Sequence, residues 1–392
     1  MSRRPAGPVA CVAGDMDLVR ALGLAAIPCV VVAPTHSPPC YSRFQQGALS
    51  WADAWTEPER LVEILFRFGS SQRNPPVLFY EEDGDLLLIS RHRDLLALAF
   101  RFVIAEANLV EALVDKAKFQ LLADRLGLPV PPARCVRPGD GASIDALDLP
   151  YPLIVKPLTR RPTSWAAVGR GGKAVQVNSI AELRNVWGRA ATSQMPLMIQ
   201  SLVPGDETAI ESYHVYVDRD HTIVAEFTGR KIRTYPARFG DSTALTITDA
   251  EDVAELGRDL VQRSKLTGVA KFDFKRTPDG KLYLLEINPR FTLWHHPAAL
   301  AGVNIPALVY SDLAGLPRPR VQRARAGVKW CRAWQDVRAA REQRIPFLQW
   351  LRWTVACDAK STIAWDDPLP FLASAMWRGL AKMPLLRVAS NA

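Results

Sequence analysis

The sequence lacks the long apolar run of a membrane-spanning protein and the composition of a disordered one. No stretch approaches about 18 consecutive apolar residues, which argues against a transmembrane helix. Before Asp15 there are two arginines but only a short apolar run, so this segment predicts a first strand rather than a signal peptide. The chain is 48% apolar and 23% charged, as is typical of globular proteins. We therefore expect a folded cytoplasmic protein, and 392 residues are enough for two or three domains.

Cysteine motifs are also missing. The six cysteines are scattered, and neither CxxC nor CxxCH occurs. This excludes the usual zinc, redox and haem-attachment spacings. Without an export signal the thiols are expected to stay reduced and to pack as small hydrophobic side chains.

Two common phosphate-binding fingerprints are absent. The turn after the first predicted strand reads AGDMD rather than GxGxxG, and no GxxxxGK[ST] segment occurs. These absences argue against a Rossmann dinucleotide site and a Walker P-loop. No Ser-His-Asp or Cys-His arrangement is supported by spacing alone.

Excess positive charge is missing from most of the chain and concentrated at its end. Up to Pro317 there are 35 basic and 35 acidic residues, whereas the last 75 residues hold 14 basic and 5 acidic ones. A basic balance favours an anionic partner, here only for the C-terminal segment. No nucleic-acid recognition motif accompanies it, so we expect no nucleic-acid partner.

The basic segment is also rich in tryptophan. Residues 318–392 hold six of the eleven tryptophans, and IPFLQWLRWTVA and LPFLASAMWRGLAKM mix aromatic, basic and apolar side chains. Three interpretations stay open: helices packed on the body, an interfacial helix on an anionic membrane, and a docking surface for a partner protein.

The first third of the chain predicts a small open α/β layer. PVACVA, IPCVVVA and PPVLFYEED are strand-like runs, and helical spacing separates them. A β-α-β order implies a parallel sheet. Further along, hairpins are predicted with turns at 218–221 and 277–280, and DKAKFQLLADRLG is an amphipathic helix that ends in glycine.

Three oxygen-bearing side chains converge in the second hairpin. Its turn places Asp273 near Glu286 across the strands, and Asn288 shares the face of Glu286 because the two residues are two positions apart on one strand. Glu286 lies in LYLLEINP, where apolar neighbours predict burial and a need for a partner. Hard oxygen ligands of this kind suit Mg²⁺. A solvent-facing acidic strand is the alternative.

A lysine and a glycine-rich segment precede this hairpin. Lys156 lies in the apolar strand LIVKPL, where a phosphate would supply a partner, although an edge lysine reaching water is the alternative. The following segment carries three glycines that allow the backbone to close over phosphates. They are Gly169, Gly171 and Gly172.

Together these features resemble the ATP-grasp superfamily over about residues 113–317. The matching segments are DKAKFQLLADRLGLPVPP, YPLIVKP, GRGGKAVQV, MIQSLVPGDE, VAKFDFKRTPDGKLYLLEINPRF and AGVNIPALVY. Looser matches in CYSRF, LLLISRHRD and GRKIRTYPARFGDST resemble the carboxylate–amine ligase and D-aspartate ligase group.

The resemblance implies an α/β and α+β chain in three parts. Residues 1–112 would form a Rossmann-like pre-ATP-grasp domain, and residues 113–317 the ATP-grasp domain, with a lid subdomain at about 118–200. Residues 318–392 would be a basic, tryptophan-rich C-terminal extension.

The resemblance also implies a nucleotide site. Lys116 and Lys156 would bind ATP phosphates, and the three glycines would belong to a mobile lid. Glu207 would hold the ribose hydroxyls, with Asp206 as a rival. The strand end that would read adenine through its backbone consists of Gln200, Ser201, Leu202 and Val203.

Other roles concern the metal and the reacting groups. Asp273, Glu286 and Asn288 would hold one or two Mg²⁺ ions, with Mn²⁺ as a substitute. Arg290 would face the transferred phosphate. Arg230, Lys231 and Arg233 form a cationic cluster in GRKIRTYP that could bind the γ-phosphate or a substrate carboxylate, with Arg233 as the best candidate; a solvated strand end is the alternative.

Two weaker candidates concern the acceptor. Gly240, Ser242 and Thr243 are predicted as a substrate loop, and His295 and His296 as lining of the acceptor pocket. Adjacent helical residues diverge, so the two histidines cannot face one metal.

The implied activity is an ATP- and Mg²⁺-dependent ligase. It would activate a small-molecule carboxylate as an acyl phosphate and join it to an amine, such as an amino acid or a peptide-like acceptor. The alternatives are other ATP-grasp chemistry, such as carbamoyl-phosphate-like reactions, and a nucleotide-binding regulatory protein at the membrane surface.

Overall fold

Three sheets organise the protein in a computed structural model, which describes residues 7–138, 144–158, 165–169 and 172–380. Two of the sheets are connected by a shared hydrophobic core, and the middle sheet has a core of its own. Because the described residues form helices on sheets, the mixed α/β fold class is confirmed.

The N-terminal sheet is parallel, as its β-α-β order predicts. Its strands are β1 (Ala10–Ala13), β2 (Cys29–Val32), β3 (Gln45–Leu49) and β4 (Val77–Tyr80). Its helices are α1 (Met16–Leu24), α2 (Pro58–Ser71), α3 (Asp83–Arg91), α4 (Arg93–Ala97) and α5 (Ala107–Val114). The strand order is β3-β2-β1-β4, and every residue of β1 and β4 is buried. Such continuous apolar strands are typical of a parallel sheet covered on both faces.

The middle sheet is antiparallel. It follows α6 (Lys116–Leu126), and its strands are β5 (Ala133–Val136), β6 (Leu153–Pro157), β7 (Val175–Val177) and β8 (Leu197–Ser201). Its helices are α7 (Trp165–Gly169) and α8 (Ile180–Ala191). The order is β5-β8-β6-β7. Asp115 caps α6 through the amides of the next turn, and Gly127 ends it at φ 61°, so this helix begins at Lys116.

The central sheet contains both predicted hairpins. Its strands are β9 (Ile210–Val217), β10 (Ile223–Tyr235), β11 (Asp241–Thr248), β12 (Gly268–Arg276), β13 (Leu282–Asn288), β14 (Lys329–Cys331) and β15 (Ala359–Lys360). The helices beside it are α9 (Glu251–Ser264), α10 (His295–Leu300) and α11 (Ile305–Ala314). The order is β13-β12-β9-β10-β11-β14-β15, antiparallel except for the last pair. The turns fall where the sequence predicts them.

The C-terminal extension packs on the body through these last two strands. Its helices are α12 (Ala333–Glu342), α13 (Phe347–Val355) and α14 (Leu369–Leu380). Trp330 is fully buried and its indole N–H donates to Asp17 of α1 at 2.7 Å. Asp367 accepts a hydrogen bond from Ser42 at 2.8 Å. Of the three interpretations of the extension, packing on the body therefore describes most of it. No helix among the described residues has both the length and the hydropathy needed to cross a membrane.

Candidate active site

The second hairpin brings the predicted metal ligands together. The strand register pairs Asp273 directly with Glu286, so the two side chains share a face of the sheet. Asn288 lies two residues further along β13, and its amide N–H donates to Glu286 Oε1 at 3.0 Å. Two carboxylates and an amide oxygen thus lie on one patch.

Asp273 is buried among cations. Its carboxylate lies 2.6 Å from Lys271 Nζ and 3.6 Å from Lys231 Nζ, and it accepts a hydrogen bond from Ser212. Burial opposes ionisation, but the attraction of Lys231 and Lys271 outweighs it and lowers the pKa of Asp273. The carboxylate is therefore held ionised at the floor of the site.

Glu286 differs from its prediction. Its side chain is exposed rather than buried, because β13 lies at the edge of the central sheet and the residue faces away from Leu284 and Ile287. The burial argument for a bound metal was therefore wrong. The donor set still fits Mg²⁺, which takes few protein ligands and keeps water and phosphate oxygens. Among the described residues no group of three or more His, Cys, Asp or Glu offers a fuller metal cage.

Two lysines from the middle-sheet region meet at the end of β6. Lys116, the first residue of α6, donates to the carbonyl of Pro157 at 2.6 Å, and Lys156 donates to Gln200 Oε1 at 3.3 Å. Burial lowers the pKa of Lys156, and Glu286 opposes this shift. The electrostatic coupling of Lys156 and Glu286 means that Lys156 lies near the patch of predicted metal ligands.

The segment predicted to read adenine, residues 200–203, has one backbone N–H available to a ligand among the described residues. Gln200 is buried on β8, and the N–H groups of Ser201 and Leu202 already donate to proline carbonyls. Within the part of the chain that the structure describes, the N–H of Val203 makes no hydrogen bond. Val203 is thus the residue of this segment whose N–H can read a base.

The two rival acids after the hinge have different environments. Asp206 caps a short 3₁₀ turn and accepts hydrogen bonds from the Thr208 amide at 2.9 Å and hydroxyl at 2.6 Å. Glu207 instead attracts Lys156 as well as Lys275, and it partly opposes the lowering of their pKa values by burial. Glu207 therefore faces the cleft, whereas Asp206 serves the turn.

The glycine segment is described in part. Gly171 lies outside the described residues. Gly169 ends α7 under Trp165, whose indole donates to the Gly172 carbonyl at 2.7 Å. A Cβ at Gly169 would lie 2.4 Å from the indole nitrogen, so only glycine fits beneath that ring.

Arg290 connects the hairpin with the N-terminal sheet. Its guanidinium donates to the Asp83 carboxylate and to the Glu81 carbonyl, both at 2.6 Å. These partners follow β4, at the carboxyl edge of the parallel sheet. Arg290 thus lies two residues after Asn288 but is held by the first sheet rather than pointing freely into the cleft.

Arg233 has an unpredicted partner. It is 7% exposed and donates two hydrogen bonds, at 2.8 and 2.7 Å, to Asp336 of α12, and it lies 5.1 Å from the Trp353 ring centre. A register shift between Lys231 and Arg233 breaks the strand alternation that would have put both on one face. We therefore treat Arg233 as a structural residue.

Of three lysines near the carboxylates, the sequence analysis missed Lys271 and Lys275 and named Lys231 only as a member of the GRKIRTYP cluster. Lys271 and Lys275 flank Asp273 in KFDFK, and period-two alternation already places all three on one face of β12. Lys231 comes from GRKIRTYP, where Arg233 was preferred. The alternation of the sequence was enough to predict the positions of Lys271 and Lys275. The position of Lys231 relative to Arg233 depended on the register shift in β10.

The acceptor candidates are placed differently from their predictions. Ser242 and Thr243 are buried in β11, so the predicted loop is wrong for them. Gly240 directly precedes that strand. His295 and His296 diverge as expected and are both buried: His296 Nδ1 lies 3.1 Å from Asp17, and neither nitrogen of His295 has a partner among the described residues.

The architecture matches that of solved structures. The structure described as an ADP complex of purK, an N5-carboxyaminoimidazole ribonucleotide synthetase, aligns with a TM-score of 0.62. The alignment is 16% identical and covers 82% of this chain and 80% of that chain. At this identity the likeness shows the fold, which is the ATP-grasp fold of two antiparallel sheets around a cleft.

Sequence comparisons agree. Residues 193–333 match a family model described as "ATP-grasp in the biosynthetic pathway with Ter operon". D-aspartate ligase of Enterococcus faecium (strain Aus0004) is 27% identical over 240 residues, 59% of this chain and 56% of the relative. The carbamoyl phosphate synthase large chain of Xanthomonas campestris pv. campestris is 27% identical over 187 residues, 45% of this chain and 16% of the relative. The chain thus spans about half the length of the first relative and a smaller part of the second.

Fold, family model and relatives agree on one class of protein: residues 193–333 match the ATP-grasp family model, and the chain is similar to ATP-grasp proteins in sequence and in fold. Among the curated relatives, a D-aspartate ligase and a D-alanine--D-alanine ligase are both carboxylate–amine ligases, and the chain is similar to each over about half of its length.

Proposed function

We propose that the protein is an ATP- and Mg²⁺-dependent ligase that joins a carboxylate to an amine. One observation carries the proposal: Asp273, Glu286 and Asn288 lie on one patch, and Lys156 of the middle sheet, whose strand also holds the Lys116 ammonium, is electrostatically coupled to Glu286. Anionic metal ligands opposite cations suit a nucleotide whose terminal phosphates bridge the two sides.

In this proposal the nucleotide lies between the middle and central sheets. Val203 would read adenine through its N–H, Glu207 would accept from the ribose hydroxyls, and the lysines would neutralise phosphate oxygens. Asp273, Glu286 and Asn288 would hold Mg²⁺, or Mn²⁺ as a substitute. The ion would supply charge stabilisation at the transferred phosphoryl group.

The chemistry proceeds in two displacements. A carboxylate oxygen attacks the γ-phosphorus and ADP leaves, which gives an acyl phosphate. The amine nitrogen then attacks the acyl carbon, inorganic phosphate leaves, and the nitrogen loses a proton. Negative charge builds on oxygen in both steps, so fixed lysines contribute through electrostatics and position rather than through a covalent intermediate with the protein.

Water would hydrolyse the acyl phosphate, so the cleft needs a cover. The segment from Gly169 to Gly172, including Gly171, is the part of the chain proposed to close over the phosphates. The Trp165–Gly172 hydrogen bond would give this cover a fixed base.

The substrates are proposed as small molecules: a carboxylate and an amino acid or peptide-like amine. The similarity to a D-aspartate ligase supports this choice. Carbamoyl-phosphate-like chemistry is the alternative within the same fold, because ATP sites are shared while acceptor sites are not.

The test is nucleotide-dependent release of ADP or phosphate with a panel of carboxylates and amines. Glu286→Gln removes a ligand charge from an exposed side chain, so the fold should persist while turnover falls by about a hundredfold or more. Glu255→Gln, on the exposed face of α9, is the matched control and should retain turnover. Undiminished turnover in Glu286→Gln would refute the site.

A second proposal concerns the extension, which we propose also contacts a membrane surface, as a regulatory protein would. The outer face of α13 exposes Phe347, Leu348 and Val355, at 60%, 72% and 70%. Basic side chains flank it, and such a face suits anionic headgroups. Flotation with phosphatidylglycerol vesicles tests this. The protein should float and Leu348→Glu should not; equal recovery of both in the pellet would reject the contact.

A further inference from the structure

Charges of both signs lie at the carboxyl edge of the N-terminal sheet, outside the proposed nucleotide site. The chain leaves β1 for β2 on one side, while β4 flanks β1 on the other. Such a reversal opens a crevice beyond the strand ends, where open α/β sheets commonly bind ligands. Asp15 follows β1 and Glu81 follows β4, so two acids line this crevice.

The two acids of the crevice are held in place by hydrogen bonds from backbone N–H groups. Glu81 is 6% exposed, and its Oε2 accepts the N–H of Asp15 at 2.8 Å. Asp15 Oδ1 caps α1 through the amide of Met16 at 2.8 Å. Burial and the nearby charge of Asp15 raise the pKa of Glu81 to about 8. A cation entering here would be stabilised by the ionised Asp15, and its charge would favour ionisation of Glu81 beside it.

The basic side comes from the C-terminal extension. Arg332 follows β14, its backbone N–H donates to the carbonyl of Thr243 at 2.8 Å, and its Nη2 donates to Asp15 Oδ2 at 2.8 Å. The side chains of Arg332 and Asp15 are 25% and 41% exposed, so a ligand can reach them. Within the described residues this is the single side-chain hydrogen bond of Arg332, which leaves most of its guanidinium donors available.

The crevice adjoins the metal-ligand patch. Arg290 holds the carbonyl of Glu81 at 2.6 Å and lies two residues after Asn288. On the other side, Asp241 attracts both Arg332 and Lys231, and Lys231 lies against Asp273. A small ligand in the crevice would thus be a neighbour of the groups that we propose to act on ATP.

We propose that Arg332, Asp15 and Glu81 form a subsite for a zwitterionic amino acid, with its carboxylate on Arg332 and its ammonium between the two acids. The inference rests on the proposed ligase function and names its amine substrate class. A simple anion would be repelled by the acids, and a simple cation would meet Arg332. A ligand with both charges compensates both sides when it separates the Arg332–Asp15 pair.

The role of Arg332 has a consequence for specificity. Its guanidinium would select an α-amino acid over the corresponding amine, because an unpaired cation facing an apolar group loses a charge-assisted hydrogen bond. Arg332 would be a specificity residue supplied from outside the ATP-grasp domain.

Calorimetry on the full chain tests this. The protein is first saturated with Mg²⁺ and a non-hydrolysable ATP analogue and then titrated with glycine and with both enantiomers of alanine and aspartate. Ethylamine and propionate serve as single-charge probes. We expect at least one amino acid to bind, and both single-charge probes to bind at least about tenfold more weakly.

Three variants complete the experiment. Arg332→Ala should weaken amino acid binding by about tenfold or more, while the affinity for the ATP analogue stays within about twofold. Arg332→Lys keeps the charge but loses the planar fork, so it should give an intermediate loss and guards against misfolding of the alanine variant. Arg338→Ala, an exposed arginine of the same extension, should bind like the unchanged protein.

The outcomes separate the two proposals. If the ATP analogue binds but no amino acid does, or if Arg332→Ala and Arg332→Lys bind amino acids unchanged, the subsite is overturned and the ligase proposal stands. If the ATP analogue does not bind with Mg²⁺, the proposed function itself fails.

Discussion

The buried ion pair between Arg233 and Asp336 connects the C-terminal extension to the central sheet. Asp336 is fully buried and accepts hydrogen bonds from Arg233, from Thr243 at 2.8 Å and from the Trp350 indole at 2.9 Å. Arg233 was a catalytic candidate in the sequence, but the structure surrounds it with the extension. We predict that its removal acts on stability rather than on nucleotide binding.

The expected magnitude follows from burial. Asp336→Ala leaves the Arg233 guanidinium buried without a counter-charge, and breaking a buried pair in this way costs about 3–5 kcal/mol of unfolding free energy. That is a large share of the roughly 5–15 kcal/mol that holds a typical domain together. Replacing both partners, as in Arg233→Met with Asp336→Leu, should cost less than the sum of the single changes, with a coupling of about 2–3 kcal/mol.

Urea unfolding followed by tryptophan fluorescence measures this, since Trp350 and Trp353 contact the pair. The exposed pair of Arg67 and Glu63 on α2 provides the control: Glu63→Ala should change stability by less than about 1 kcal/mol. The reasoning would be refuted if Arg233→Met kept its unfolding free energy within about 1 kcal/mol while its KM for ATP rose more than about tenfold.

Three further predictions concern other parts of the fold. Burial lowers the pKa of His295 to about 3 from an ordinary value of 6.5, so the unfolded chain takes up a proton in this interval and the folded chain does not. Its stability contribution is therefore present above pH 6.5 and is lost as the pH falls toward 3, and urea titrations should show His295→Leu with a pH slope smaller by up to about 1.4 kcal/mol per pH unit. Lys156→Met should weaken ATP binding by at least about tenfold in calorimetry while Lys118→Met, on the exposed side of α6, should not; equal affinities would remove Lys156 from the site. Gly169→Ala should displace Trp165 and raise the protease sensitivity of the middle sheet, and an unchanged digestion pattern would show that the close packing at Gly169 has no structural importance.

Local sequence patterns predicted much of the fold. Alternation and turn residues predicted both hairpins of the central sheet, and the pairing of Asp273 with Glu286 followed from the turn at 277–280. The helix that starts at Lys116 followed from its amphipathic spacing and its terminal glycine. These features depend on residues close in sequence, so a single chain is enough to read them.

The wrong predictions concern residues whose positions depend on contacts with distant parts of the chain. The partner of Arg233 lies 103 residues further on, and that of Arg290 lies 207 residues earlier. No local pattern encodes either pairing. Glu286 was predicted as buried from its neighbours, but the edge position of β13, which depends on the whole sheet, leaves it exposed. Register shifts in β10 determine that Lys231, rather than Arg233, lies beside Asp273.

The buried carboxylate of Asp17 ties together parts of the chain that are made at very different times. It accepts hydrogen bonds from Trp330 and from Ser361, which lie 313 and 344 residues later. During synthesis, Asp17 therefore lacks these hydrogen-bond partners until residue 361 has left the ribosome. Nascent chains stalled before residue 361 should remain targets for chaperones, however well their first sheet has formed.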